Sequence, residues 1–287
     1  MTDAATITVR SPLASARQYF RKPKGLLILM LLGLVLLAAT GPGAWLMARS
    51  LAVAMGVAML VDAPVLRGRK GRWEFPDGAL LTGMIVAMIL SVQVPWWVVA
   101  VTSVFAVLSK YALRTRTANI FNPAALALVM AFLVFHSGQD WWGALPEITP
   151  LALVVLIAAG AFVTHRVNKL PALLAFLGSY FLLFTVTAFL GDPARVAELY
   201  RPPDLHAVLF FGFVMVTDPP TSPPRHRDQI VFGVIVAAVS YAVFQLVGAA
   251  YFLLAGLLVG NAWEAWRRAR VHAGRHAGGR ATHHGNP

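Results

Sequence analysis

The chain has 287 residues, of which 58% are hydrophobic and only 13% are charged, and its formal net charge is +12. A soluble domain carries about 25% charged residues, so this chain has too little polar surface for a soluble globule or a nucleic-acid-binding face. Because the sequence contains no cysteine, disulfides, thiolate metal sites and a cysteine nucleophile are excluded. The composition therefore predicts an all-α polytopic membrane protein with no nucleic-acid partner.

Uncharged apolar runs predict the positions of the membrane helices, each of which needs about 20 residues. The runs number about ten, at 25–40, 44–61, 78–92, 95–112, 122–136, 150–164, 171–190, 205–217, 229–246 and 248–263. Three of them, 78–92, 122–136 and 205–217, are short and end at Pro, Gly or Asn, which is typical of broken helices.

The polar loop 137–149 separates five of these runs from the other five, so we expect an inverted repeat of two halves, at about 25–136 and 150–263. A basic N-tail at 1–24 precedes the halves. A disordered basic C-tail at 264–287 is expected to follow them.

The basic residues predict the orientation of the chain, because cytoplasmic loops are enriched in Lys and Arg. With a cytoplasmic N-terminus, all of the 24 basic residues lie in inner segments except Arg49, Arg195 and Arg201. Both termini are then cytoplasmic in a bacterial inner membrane. Tryptophans near the predicted outer ends are expected to anchor the interface, namely Trp45, Trp96, Trp97, Trp141 and Trp142.

Ionisable residues inside a span are rare and suggest function. Arg49 is such a residue, and it either extends its side chain to the outer interface or pairs with a group such as a ligand phosphate. No Asp or Glu lies inside a predicted span, which argues against a proton pump formed by this chain alone. The histidines His136, His165 and His206 lie at span ends, so no haem is expected. We predict no metal site, although tail histidines could form one, namely His272, His276, His283 and His284.

Two polar, proline-containing stretches at span ends are the main candidates for a ligand site. They are residues 119–125, Asn-Ile-Phe-Asn-Pro-Ala-Ala, and residues 217–224, Thr-Asp-Pro-Pro-Thr-Ser-Pro-Pro. Proline removes a donor and makes the preceding residue extended, which frees carbonyls and opens helix N-terminal amides. Irregular backbone at membrane depth is tolerated where it is buried or lines a cavity. Each stretch is either a ligand site or a simple turn with helix caps.

At these residues the sequence resembles the NqrB/RnfD family, the membrane subunits of the sodium-pumping NADH:quinone reductase and of the Rnf ferredoxin-linked complex. The resemblance covers roughly residues 20–265 and is carried by four features in order. They are the stretch 77–83 (Asp-Gly-Ala-Leu-Leu-Thr-Gly), Lys110, the stretch 119–125, and Thr217-Asp218-Pro219 with Thr221-Ser222-Pro223.

The resemblance implies a flavoprotein with a urea-channel-like fold that holds FMN, riboflavin or both and works with other redox subunits. The implied cofactor-binding residues are Thr82, Lys110, Asn119, Asn122, Pro123, Thr217, Asp218, Thr221 and Ser222. Family members carry FMN on a threonine. Here the nearest candidate is Thr149, whose alternative role is to cap the next helix.

The resemblance thus predicts a membrane subunit that holds flavin or relays electrons, and is coupled to ion transport, without being catalytic alone. No side chain is expected to make or break bonds. The alternative is a small-solute transporter or channel-like protein of the same fold without a redox role. The stretch 113–118 favours it, because the family normally has a glycine-rich stretch at this place and this chain does not.

Overall fold

Most helices of this computed structural model begin and end close to the predicted positions. The structure describes residues 18–41, 43–115, 118–145, 150–190, 200 and 204–281, without the side chains of 150 and 272–281. The helices are α1 (Pro23–Ala38), α2 (Ala44–Lys70), α3 (Asp77–Ile89), α4 (Trp96–Ala112), α5 (Pro123–Phe135), α6 (Pro150–Arg166), α7 (Leu170–Leu190), α8 (Asp204–Phe211), α9 (His226–Val247) and α10 (Phe252–Ala281). Within these residues there are no strands, and the predicted all-α class is confirmed.

Three of the described helices, α2, α7 and α9, are long and apolar enough to cross a membrane by length and composition. Six others are apolar but shorter, and the short predicted spans are among them. Proline occupies the first turn of α1 and of α5, where its missing N–H costs nothing. A π-helical segment, Gly212–Val216, extends α8 up to Thr217.

The ten α-helices named above, all in the described part of the chain, pack in two groups of five. In the first group α2 lies against α3 and α4, and α4 lies against α5. In the second group α7 lies against the π segment and α9, and α9 lies against α10. The groups meet where α1 contacts α6 and where α5 contacts α10.

Two helices extend beyond the predicted runs, and this changes the environment of two carboxylates. Helix α2 continues to Lys70, so Asp62 lies within it with 1% exposure. Helix α10 continues to Ala281, and Glu264 on it is also 1% exposed. The prediction of a disordered tail from residue 264 is therefore wrong for the start of that segment. Both acids lie just beyond the predicted spans 44–61 and 248–263, on the continuations of the same helices.

The tryptophans that were expected to anchor the interface fall into an exposed set and a buried set, and the expectation is wrong for the buried set. Trp45, Trp96 and Trp97 are exposed on the outside of the helices. Trp141 and Trp142 are buried instead, and the indole Nε1 of Trp142 donates to the Ala87 carbonyl at 2.6 Å. A turn with positive φ at Trp141 directs this pair into the core.

Arg49 binds the backbone of the loop that follows α3. Its guanidinium is half-buried and donates to the Val92 carbonyl at 3.3 Å, at the end of α3. The Val92 amide in turn donates to Asp140. Among the histidines, His206 is buried beside the Ala144 carbonyl, and the tail histidines have no described side chains.

Candidate functional site

The two proline-containing stretches meet at one end of the helix bundle. Asn122 caps α5, because its side-chain oxygen accepts a hydrogen bond from the Ala125 amide at 3.1 Å. The Asn122 side-chain amide also donates to Asp218 at 3.4 Å, across a separation of 96 residues. Asn122 is 4% exposed. The stretch around 119–125 is thus both a helix cap and half of a composite polar site.

Asp218 is the centre of the second stretch. The Thr221 hydroxyl donates to its Oδ2 at 2.9 Å, and the Ser222 hydroxyl donates to its backbone carbonyl at 2.7 Å. Burial raises the pKa of Asp218 to about 6, although the hydrogen bond from Thr221 and the charge of Lys169 act in the opposite direction. The carboxyl group is therefore able to change its charge near neutral pH.

Thr217 and Pro123 are the chain neighbours of Asp218 and Asn122 and affect the local backbone. The Thr217 hydroxyl, 3% exposed, donates to the Phe213 carbonyl within the π segment. Pro123 occupies the first turn of α5 next to the Asn122 cap. π-Helical turns occur frequently at functional sites, and this one places Thr217 and Asp218 at the end of a short helix.

The carbonyls that proline was expected to free in the second stretch are bound by side chains of the protein itself. Arg268 donates to the carbonyls of Pro220 and Ser222, each at 3.1 Å. Lys169 donates to those of Ser222 and Pro223, at 3.2 and 2.6 Å. This loop is therefore held from several sides and does not offer these carbonyls to a cation.

Lys169 was counted in the sequence only as an inner charge, yet it is 5% exposed. It precedes α7, and burial lowers its pKa to about 8, while Asp218 acts in the opposite direction. A lysine directly before an apolar run gave little signal of burial. Its two carbonyl partners come from a loop more than fifty positions away.

Helix α10 supplies the other residues that sequence reasoning missed. Asn261 is 0% exposed. Its side-chain oxygen accepts a hydrogen bond from the Asn122 backbone amide at 2.8 Å, and its side-chain nitrogen donates to the Thr221 carbonyl at 3.2 Å. Glu264 binds Arg267 and Arg268. An amide inside an otherwise apolar run was the one available signal for Asn261.

Lys110 and Thr82 lie in a neighbouring polar cluster. Lys110 and Tyr111 both donate to Asp62 Oδ1, at 2.8 and 2.6 Å. Gly78 faces Lys110, since a Cβ on that glycine would lie 3.7 Å from the lysine nitrogen. The Thr82 hydroxyl is turned back to the Gly78 carbonyl at 2.8 Å.

The two clusters belong to the same end of the molecule. Asp77, at the start of α3, pairs with Lys24 at 3.1 Å, and the charge of Lys24 also lowers the pKa of Asp218. Asn119 lies in the loop between α4 and α5, where it forms an isolated bridge with Arg114. Thr149 lies outside the described residues.

Several apolar helices, three of the described ones long enough to cross a membrane, define a multi-pass membrane protein, and comparison with known proteins gives its family. Residues 7–152 match the model of the "NQR2, RnfD, RnfE family". The chain belongs to this family, and the resemblance found in its motifs is confirmed.

Curated relatives agree with this assignment. A protein of Pseudomonas aeruginosa, named as one subunit of an ion-translocating oxidoreductase complex, is 29% identical over 262 residues, covering 71% of this chain and 75% of the relative. The proteins of the same name from Shewanella sediminis and Stutzerimonas stutzeri are 37% and 36% identical, over 94 and 103 residues. These two alignments cover 31% and 36% of this chain, and only 27% and 28% of the relatives.

Proposed function

We propose that this chain is a membrane-embedded subunit of a flavin-dependent electron-transport complex of the NADH:quinone reductase or Rnf type. The observation that carries the proposal is the meeting of Asn122 and Asp218 in one partly buried site. Both residues belong to the motifs by which the chain resembles its family. Other membrane or peripheral redox subunits are the expected partners, in line with the names of the relatives.

The side chains of the composite site suit a flavin ring. The hydrogen-bonding edge of the isoalloxazine ring has one N–H donor between two carbonyl acceptors, and Asp218, Asn122 and Thr221 offer an acceptor, an amide and a hydroxyl. When bound, a flavin would supply the electron-accepting chemistry. The protein's own part is to orient the ring edge and to hold a proton on Asp218, whose pKa of about 6 permits it.

The phosphate of FMN needs positive charge, and the same end of the bundle contains Lys24, Lys169 and Arg268. Riboflavin lacks this phosphate and would depend on the ring contacts alone. Covalent attachment of FMN at Thr149 is a separate part of the proposal. It rests on the family resemblance, since that residue lies outside the described part of the chain.

The proposal includes an inverted repeat with both termini in the cytoplasm. If α1–α5 correspond in order to α6–α10, the contact of α2 with α4 in the first half is equivalent to that of α7 with α9 in the second. The halves also touch through corresponding helices, α1 with α6 and α5 with α10. Both features support two related halves. The segments predicted to be inner meet at one end, where Lys24 pairs with Asp77 and Lys169 with Ser222. The segments predicted to be outer meet at the other, where Arg49 binds Val92.

A visible spectrum of the purified chain tests the flavin part directly. The protein is expressed with riboflavin and its partner subunits, extracted in mild detergent and separated. Flavin absorption in the native protein, followed by flavin fluorescence in the gel after denaturation, indicates covalent FMN. If Thr149 is the attachment site, Thr149→Ala abolishes the fluorescence in the gel. Absorption that is lost on denaturation indicates bound flavin only. A colourless protein overturns the redox proposal for this chain and favours the transporter-like alternative.

A further inference from the structure

The last helix contributes a polar residue that touches both proline-containing stretches at once. Asn261 accepts a hydrogen bond from the Asn122 backbone amide and donates one to the Thr221 carbonyl. The first bond joins residues 139 positions apart, and the second joins residues 40 apart. None of the family-like motifs includes this residue.

The two bonds require an amide at this position. A backbone N–H needs an acceptor and a carbonyl needs a donor, and an asparagine side chain has one of each on a single rigid plane. Asn261 is 0% exposed, so water cannot replace either bond. Because an unpaired buried amide or carbonyl is costly, removal of the Asn261 side chain destabilises both loops together.

The same face of α10 also binds the stretch 217–224 at another point, about two helical turns beyond Asn261. Arg268 donates to the Pro220 and Ser222 carbonyls, and Glu264 fixes its guanidinium from the helix itself at 2.6 Å. Residues 261, 264 and 268 follow helical spacing, which puts them on one face of α10. The loop thus has two points of attachment to a single rigid element.

We infer that Asn261 is the positioning residue of the composite site: it fixes the distance between residues 119–123 and 217–222, so that Asn122 and Asp218 act on one ligand. This inference deepens the proposed function, because the ligand class remains a flavin ring with its donor and acceptor edge. Asn261 does not contact that ligand in this arrangement. It acts through the two loops.

The first test measures the loops without any ligand. Since the chain contains no cysteine, Ala118→Cys with Pro219→Cys gives one unique pair for spin labels, the first directly before the stretch 119–125 and the second inside the stretch 217–224. In nanodiscs the parent pair is expected to give a single narrow distance distribution, and Asn261→Leu to broaden it. Asn261→Asp keeps the acceptor for the Asn122 backbone amide, but it places a carboxylate oxygen against the Thr221 carbonyl oxygen, and the two repel each other. This variant is therefore expected to shift the distance between the spin labels.

Ser240→Ala is the matched control. Ser240 is also 0% exposed and lies on α9 at its contact with α10, and its hydroxyl forms no hydrogen bond in the described structure. The control is expected to leave the distance distribution unchanged. An unchanged distribution in Asn261→Leu overturns the inference.

The second test is titration of the full chain with riboflavin and with FMN. Loss of two positioning hydrogen bonds is expected to weaken flavin binding by about tenfold or more in Asn261→Leu, with a smaller loss in Asn261→Gln, which retains both groups. If the parent chain binds no flavin, the proposed function fails, while the distance measurement still decides the role of Asn261. If the parent binds flavin and Asn261→Leu binds equally well, the positioning role is wrong.

Discussion

Lys110 Nζ lies 2.8 Å from Asp62 Oδ1, although the two residues are 48 positions apart and belong to neighbouring helices. Asp62 is 1% exposed, and the Lys110 side chain is 19% exposed. A carboxylate so far from water is retained only when it is paired and hydrogen-bonded, and Tyr111 provides a further bond to the same oxygen. The family-like Lys110 therefore has a structural partner that the sequence motifs do not contain.

We expect Lys110→Met to lower the free energy of unfolding by about 3–5 kcal/mol, because it leaves the Asp62 charge buried without its cation. The measurement is thermal or denaturant unfolding in detergent. Lys70→Met is the control, since Lys70 pairs with Glu74 at the surface with 49% side-chain exposure, and its loss is expected to cost less than about 1 kcal/mol. Equal losses in the two variants would contradict the role of the buried pair.

The raised pKa of Asp218 predicts how stability changes with pH. Its folded value of about 6 lies above its ordinary value of 3.8, so the folded protein binds a proton more readily than the unfolded chain does. Stability from this group is therefore present at low pH and is lost as pH rises through about 4 to 6. Asp218→Asn removes this loss and is expected to raise the midpoint of thermal unfolding at neutral pH.

The comparison of two pH values is the control for that prediction. Asparagine keeps an oxygen for Thr221 and Asn122, so Asp218→Asn and the parent are expected to unfold at similar temperatures near the ordinary pKa of the carboxyl group. A gain in melting temperature of the same size at both pH values would mean that ionisation of Asp218 is not its cause.

Gly83 permits the close approach of α2 and α3. A Cβ at this position would lie 2.7 Å from the Ala54 carbonyl oxygen and 2.9 Å from Met55 Cα, which are backbone atoms that cannot rotate away. Gly83→Ala is thus expected to separate the helices and to lower stability by about 1–3 kcal/mol, measured by thermal unfolding.

Gly56→Ala on α2 is the matched control. A Cβ there would meet nothing within 4 Å, and alanine has a better helix propensity than glycine by about 1 kcal/mol. Its expected effect is neutral or stabilising. A similar loss from both substitutions would indicate that the approach of the two backbones is unimportant.

The sequence was sufficient to locate the helices because hydrophobic runs and their Pro or Gly ends are local signals. The predicted run at 95–112 and helix α4 (Trp96–Ala112) illustrate this agreement. The extension of α2 to Lys70 was missed because a charged, proline-containing segment looks like a loop when its partner is unknown. Asp62 becomes acceptable inside a helix only through Lys110, a residue on another helix.

The candidate site, like the helices, was predictable from the sequence only in part. Asn122 and Asp218 could be selected from their motifs, and the structure brings them together. Asn261 and Lys169 could not, since their roles depend on hydrogen bonds to backbone atoms of distant loops. The identity of a residue does not show which distant backbone atoms its side chain binds.

The two ends of the bundle predict a clear outcome for chemical labelling. Arg72, in the basic loop before α3, is exposed, and Gln93, in the loop after α3, is also exposed. If the basic end faces the cytoplasm, an impermeant maleimide is expected to label Gln93→Cys but not Arg72→Cys in intact spheroplasts. The parent chain has no cysteine and provides the background, and permeabilised cells are expected to label both variants. Labelling of Arg72→Cys alone in intact cells would reverse the proposed orientation and place the Asn122–Asp218 site at the outer face.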